Sequence, residues 1–106
     1  MRCDVTFIFS PKESLEINTS IEHGPENMEN SREWISNKWE ELGCEPLRPS
    51  GKVLLLDRIL AITDTLGHDW LSDNEEAAED LARHCALALD SMRVVVDLPG
   101  MSIHSS

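Results

Sequence analysis

The sequence predicts an α+β fold: a small sheet of about three strands, antiparallel or mixed, packed on helices in the order β-β-α-α-α-β. Three observations lead there. Apolar residues alternate with a period of two over the first twenty positions. Through the middle they recur at spacings of three and four. A short β-branched run, Val94-Val95-Val96, returns near the end. Helices between strands from both chain ends suit a layer of helices on one sheet face.

The first strand is expected over residues 3–9, with Cys3, Val5, Phe7 and Phe9 on one face. Ser10-Pro11-Lys12-Glu13 supplies turn chemistry. The second strand follows over 15–21, where Leu15, Ile17, Thr19 and Ile21 alternate with Glu16, Asn18 and Ser20. One face of that strand meets water. The pair reads as a hairpin, with a short helix opened by Pro11-Lys12-Glu13-Ser14 as the alternative.

His23-Gly24-Pro25 breaks the alternation. A first helix is expected from Asn30, acting as cap with Glu33 three residues on, to Leu42, with Gly43 beyond its end. Ile35, Trp39 and Leu42 form its stripe. Two prolines stiffen the loop Glu45–Gly51. A second helix is expected from Lys52 to Leu66, stopping at Gly67. Its apolar surface is broad enough to need a central place in the core or a covering partner. The third helix starts from Ser72 or Asp73 as cap and runs through Ala78, Leu81, Cys85, Leu89 and Met92. Arg93–Leu98 reads as the last strand, and Pro99-Gly100 as a turn. Met101–Ser106 reads as a short tail, flexible or partly extended. At 106 residues the chain is expected to be one domain.

Charge is the most informative part of the composition. Twenty Asp and Glu face nine Lys and Arg, for a net charge of −11. That sign disfavours direct nucleic-acid binding and anionic membranes, because phosphate contact requires cations. It favours the basic surface of another protein. No Lys or Arg lies between Arg58 and Arg83, a stretch holding Asp64, Asp69, Asp73, Glu75, Glu76, Glu79 and Asp80. A second cation-free stretch, from Lys12 to Arg32, holds Glu13, Glu16, Glu22, Glu26 and Glu29. Glu75 with Glu79, and Glu76 with Asp80, repel at i,i+4 on the third helix. A partner's cations would relieve them.

Motifs for other chemistries are absent. Ser50-Gly51-Lys52-Val53 lacks the earlier glycine of a phosphate-binding loop, and Val53 stands where a hydroxyl would hold magnesium. Cys3, Cys44 and Cys85 are odd in number, widely spaced and without a C-x-x-C, so neither a disulfide framework nor a zinc site is expected. The acids from Asp69 to Asp80 lack the alternating ligands and central glycine of a calcium loop. No G-x-S-x-G elbow or other nucleophile–base pattern occurs. No catalytic, cofactor or metal site is therefore assigned. The start, Met1-Arg2-Cys3-Asp4, lacks an apolar signal segment, so a soluble cytoplasmic protein is expected.

The expected function is a non-enzymatic interaction module that presents an acidic face to a basic protein surface. An inhibitor or antagonist of a basic or nucleic-acid-binding protein, of anti-defence or immunity type, is the role this suits. The residues expected to bind are Asp69, Asp73, Glu75, Glu76, Glu79 and Asp80, with Trp34 and Trp70 as anchors. Trp34 aligns with polar Lys38 and Glu41, as an interface anchor would, unless its helix is covered on two sides within its own domain. Trp70 also suits a hydrophobic staple before the third helix. The alternative is a self-associating homodimer or assembly scaffold, since a small sheet leaves edges to protect. A small enzyme or metal-binding protein ranks third.

Overall fold

Alternation in the first two segments produces a hairpin. β1 (Arg2–Phe9) and β2 (Leu15–Glu22) pair antiparallel, from Arg2 opposite Glu22 to Phe9 opposite Leu15. The computed structural model describes residues 2–9, 15–44, 55–90, 96–98 and 101–105. The expected turn at 10–13, the loop at 45–51, the first turn of the second helix, Met92, the strand residues 93–95 and the turn Pro99-Gly100 lie outside these. Among the described residues, no helix is long and apolar enough to cross a membrane.

The sheet has four strands, not about three. Its order is β2-β1-β4-β3, with β3 at Val96–Leu98 and β4 at Met101–Ser105. Each neighbouring pair is antiparallel. The segment expected as a tail is therefore β4, placed between β1 and β3. Ile103 explains why it docks. It is fully buried and lies opposite Phe7, which lies opposite Ile17 on the other side. This row of apolar side chains spans three strands on the helix-facing side. Each such side chain contributes about 1.5–3 kcal/mol when fully buried. On the opposite face, register partners make polar pairs: Thr6 Oγ1 donates to Asn18 Oδ1 at 2.9 Å, and Ser20 Oγ donates to Asp4 Oδ1 at 2.7 Å. One sheet face is thus dry and one wet.

Helix α1 spans Pro25–Glu41 and starts five residues before the expected Asn30. Pro25 holds the first helical position, where its fixed φ fits and no N–H is missed. Gly24 precedes it as the cap, and its carbonyl accepts the first helical bond from Met28 N at 3.0 Å. Asn30 is an exposed residue inside the helix. The helix ends as expected at Gly43, with φ +66°. Gly43 N donates to Glu40 O and Cys44 N to Trp39 O, the paired bonds of a Schellman motif.

Helix α2 spans Leu55–Asp73 as two helical segments joined at Gly67, so the first segment stops where the sequence predicts. Gly67 has φ 78° and ψ 162°, a region essentially reserved for glycine. The chain turns at Gly67 and a second helical segment runs to Asp73. A Cβ at Gly67 would meet nothing within 4 Å, so its cost is purely conformational. Gly67→Ala is expected to cost about 1–3 kcal/mol. Urea denaturation checks this; an unchanged midpoint would mean that the break does not depend on glycine.

Helix α3 spans Glu75–Ala88. Its cap is Asn74, not Ser72 or Asp73, and no side chain bonds the first-turn amides. Instead Asn74 Nδ2 donates backward to Trp70 O at 2.8 Å, which fixes the corner between α2 and α3. The helix stops before Met92 because Asp90 turns left-handed at φ 52°, with its N–H donating to Leu87 O. Arg32 Nε from α1 donates to Ala88 O at that end.

The core forms where the helices meet the dry sheet face. Val5, Phe7, Phe9, Ile17, Ile21 and Ile103 come from the sheet. Ile35, Ile59, Ile62, Leu71, Leu81 and Cys85 come from the helices. Ala78, Ala82, Ala86 and Ala88 let α3 approach both α1 and β2 closely. The breadth of α2's apolar surface is partly accounted for: Leu55, Leu60 and Leu66 are half-buried against this core.

Candidate partner-binding surface

The corner between α2 and α3 carries most of the expected binding residues. Asp69, Asp73, Glu75, Glu76 and Glu79 are all exposed. Trp70, at 36% exposure, is the exposed large hydrophobic residue among those described. The break at Gly67 creates this surface by turning the last segment of α2, and Asn74 then redirects the chain into α3. Trp70 lies within α2, four residues before the α3 cap, so it is not in the staple position directly before that cap.

Position around α3 divides the acids. Glu75 and Glu79 lie one turn apart and border β2. Glu76 and Asp80 lie one turn apart on another strip, and Asp80 stands beside His84, which stacks on Trp34 of α1. Glu75 and Glu76 also occupy the first turn, where the helix dipole favours negative charge by about 0.3–1 kcal/mol each. Among the described residues, Asp73, Glu75, Glu76 and Glu79 have no ion-pair partner. Asp69 lies 3.6 Å from His68 Nδ1, with its side chain fully exposed.

Asp80 is different. Arg83 Nη2 donates to its Oδ1 at 2.5 Å, and His84 Nε2 stands 3.7 Å away. This carboxylate is neutralised within the chain. Trp34 is also taken up internally. Its ring stacks on His84 with centroids 4.2 Å apart and 12° between planes, and Lys38 Nζ lies 6.0 Å from its centroid. The α1–α3 seam therefore covers one face of Trp34. Trp34 is half-buried there.

The same seam holds a cluster that pattern reading did not find. Ser31 Oγ and His84 Nδ1 share a hydrogen bond of 2.9 Å. Serine, histidine and aspartate thus lie in sequence, as in hydrolytic sites, but the geometry differs. Ser31 is 1% exposed, so its oxygen has no room for a substrate, and the 3.7 Å separation from Asp80 exceeds a hydrogen bond. Cys85 beside it is fully buried, and burial pushes its thiol far above the ordinary range, leaving it unreactive. Ser31 falls on the Ile35–Trp39 stripe at i−4, and that spacing marks it as inward-facing. Among the described residues, no group of three or more His, Cys, Asp or Glu side chains could hold a metal ion.

Comparison with known protein families, curated proteins and solved structures returns no match.

Burial lowers the pKa of His84 below 6.5; Asp80 partly opposes the shift and Arg83 adds to it. The unfolded chain therefore binds a proton that the folded chain resists. The stability linked to His84 is complete above pH 6.5 and falls as pH drops through the lowered folded value. Denaturant midpoints between about pH 7 and 5 are expected to decline. His84→Gln should flatten that part of the profile, whereas an unchanged slope would place the acid sensitivity elsewhere.

Proposed function

We propose that this chain is a small, non-enzymatic interaction module that binds a cationic surface of another protein through the α2–α3 corner. The observation that carries this reading is the grouping of Asp73, Glu75, Glu76 and Glu79. They are exposed and have no cation partner among the described residues, in a chain of net charge −11. Concentrated charge raises the encounter rate with an opposite surface. Trp70 beside it supplies apolar area for a bound state. Asp69 belongs to the same surface; Asp80 is paired with Arg83 and Trp34 is stacked on His84, so they contribute less to it. An inhibitor or antagonist of a basic protein is the role this suits. Free cysteines at Cys3, Cys44 and Cys85 fit a reducing, cytoplasmic setting.

The experiment is affinity capture from the native host followed by a salt titration of the purified pair. Association that weakens steeply with salt supports the reading. Salt-independent association would set it aside.

A further inference from the structure

The sheet ends at β2, and among the described residues no strand pairs with the outer edge of this eight-residue element. Beside that edge, between β2 and the α2–α3 corner, lies a cleft of about 470 Å³. Leu15, Ile17 and Leu71 give it an apolar floor, and Glu16, Glu75 and Glu79 give it an acidic rim. Among the described residues, no lysine or arginine lines it.

We propose that this edge and cleft receive an extended, basic segment of a partner protein as a fifth strand. The proposal rests on the cationic-partner reading above and adds the mode of binding. An edge strand offers backbone N–H and C=O groups that an incoming main chain can pair. Side chains of the added strand alternate between faces, so every second one enters the cleft. Apolar residues that enter the cleft meet Leu15 and Ile17, lysines or arginines on the alternate face reach Glu16, and a basic residue at the end of the cleft reaches Glu75 or Glu79. Charge selects this occupant over a second copy of the chain. Pairing β2 with another β2 would bring two sets of these three carboxylates to one seam, and like charges across strands destabilise. Glu16 therefore guards the edge against self-pairing and favours a basic strand.

The test uses two capped peptides of equal charge, one alternating lysine with valine and one alternating lysine with proline. Proline lacks the N–H that strand addition requires. The lysine–valine peptide is expected to bind at least tenfold more tightly and to slow hydrogen exchange at amides of residues 15–22. Glu16→Lys, at an exposed position, should weaken that binding about tenfold while leaving the circular dichroism spectrum unchanged. Equal binding of both peptides, or no protection in β2, would overturn strand addition. So would a salt-resistant dimer that already protects β2 without peptide. The cationic-partner reading is judged separately, by charge reversal at Glu75, Glu76 and Glu79 against the captured partner. It can stand where strand addition fails.

Discussion

Deleting residues 101–106 is expected to unfold the protein. β4 lies inside the sheet, so its loss strips β1 of one neighbour and leaves β3 without a pairing partner. Five register pairs with β1 disappear, from Val5–Ser105 to Phe9–Met101. So does the buried Ile103, which covers Phe7. Truncating a buried isoleucine alone costs about 2–5 kcal/mol, and each lost backbone hydrogen bond about 0.5–1.5 kcal/mol. The sum rivals the roughly 5–15 kcal/mol by which a domain of this size is stable. Far-ultraviolet circular dichroism and a urea titration measure the outcome. Ile103→Ala separates side chain from strand and is expected to lose about 2–5 kcal/mol while still folding. A truncated chain with an unchanged midpoint would show that the segment is dispensable.

The second large effect concerns association. Replacing Glu75, Glu76 and Glu79 together by lysine is expected to slow binding to the captured partner roughly tenfold or more. These carboxylates are exposed and without ion-pair partners among the described residues, so the change acts first on the long-range field. It also places cations at the helix N-terminus, which destabilises the helix by about 0.3–1 kcal/mol per residue in the first turn. The glutamine triple variant controls for this, because it removes charge without opposing the dipole. An intermediate association rate with near-native stability is expected for it. Asp80→Asn should differ from both. It breaks the Arg83 contact and affects stability more than encounter, because its charge is already compensated. Unchanged association in the lysine variant would remove the α2–α3 corner from the interface.

Local rules in the sequence reached some elements and missed others for identifiable reasons. The hairpin was legible because β1 and β2 alternate on one buried face, from Val5 to Phe9 and from Ile17 to Ile21. Gly43 was legible because a left-handed residue after a helix has a chemical signature. β4 was not, since Met101–Ser105 contains one β-branched apolar residue, Ile103, and owes its strand state to neighbours on both sides. Two competent caps lay near the start of α1; the proline signal at Pro25 won over Asn30. The stop at Gly67 was legible because glycine tolerates its non-helical backbone, whereas the following helical segment, which seats the buried Leu71 on the core, was not. The acidic surface was visible as a gap in the cations. The internal use of Asp80 was only partly visible, as the i,i+3 spacing to Arg83. The stacking of Trp34 on His84 was invisible, because it joins residues brought together only by the docking of α1 on α3. Glu16 came to line the same cleft as Glu75 and Glu79 in the same way, through the position of β2 at the sheet edge.

The most direct test of the central claim is the association rate of the unmodified chain with its captured partner as a function of ionic strength. The screening length shrinks from about 30 Å at 0.01 M salt to about 3 Å at 1 M. Steering by Asp69, Asp73, Glu75, Glu76 and Glu79 requires the rate to fall steeply over that range, with dissociation changing less. A rate that stays level from low to high salt would contradict an acidic docking surface.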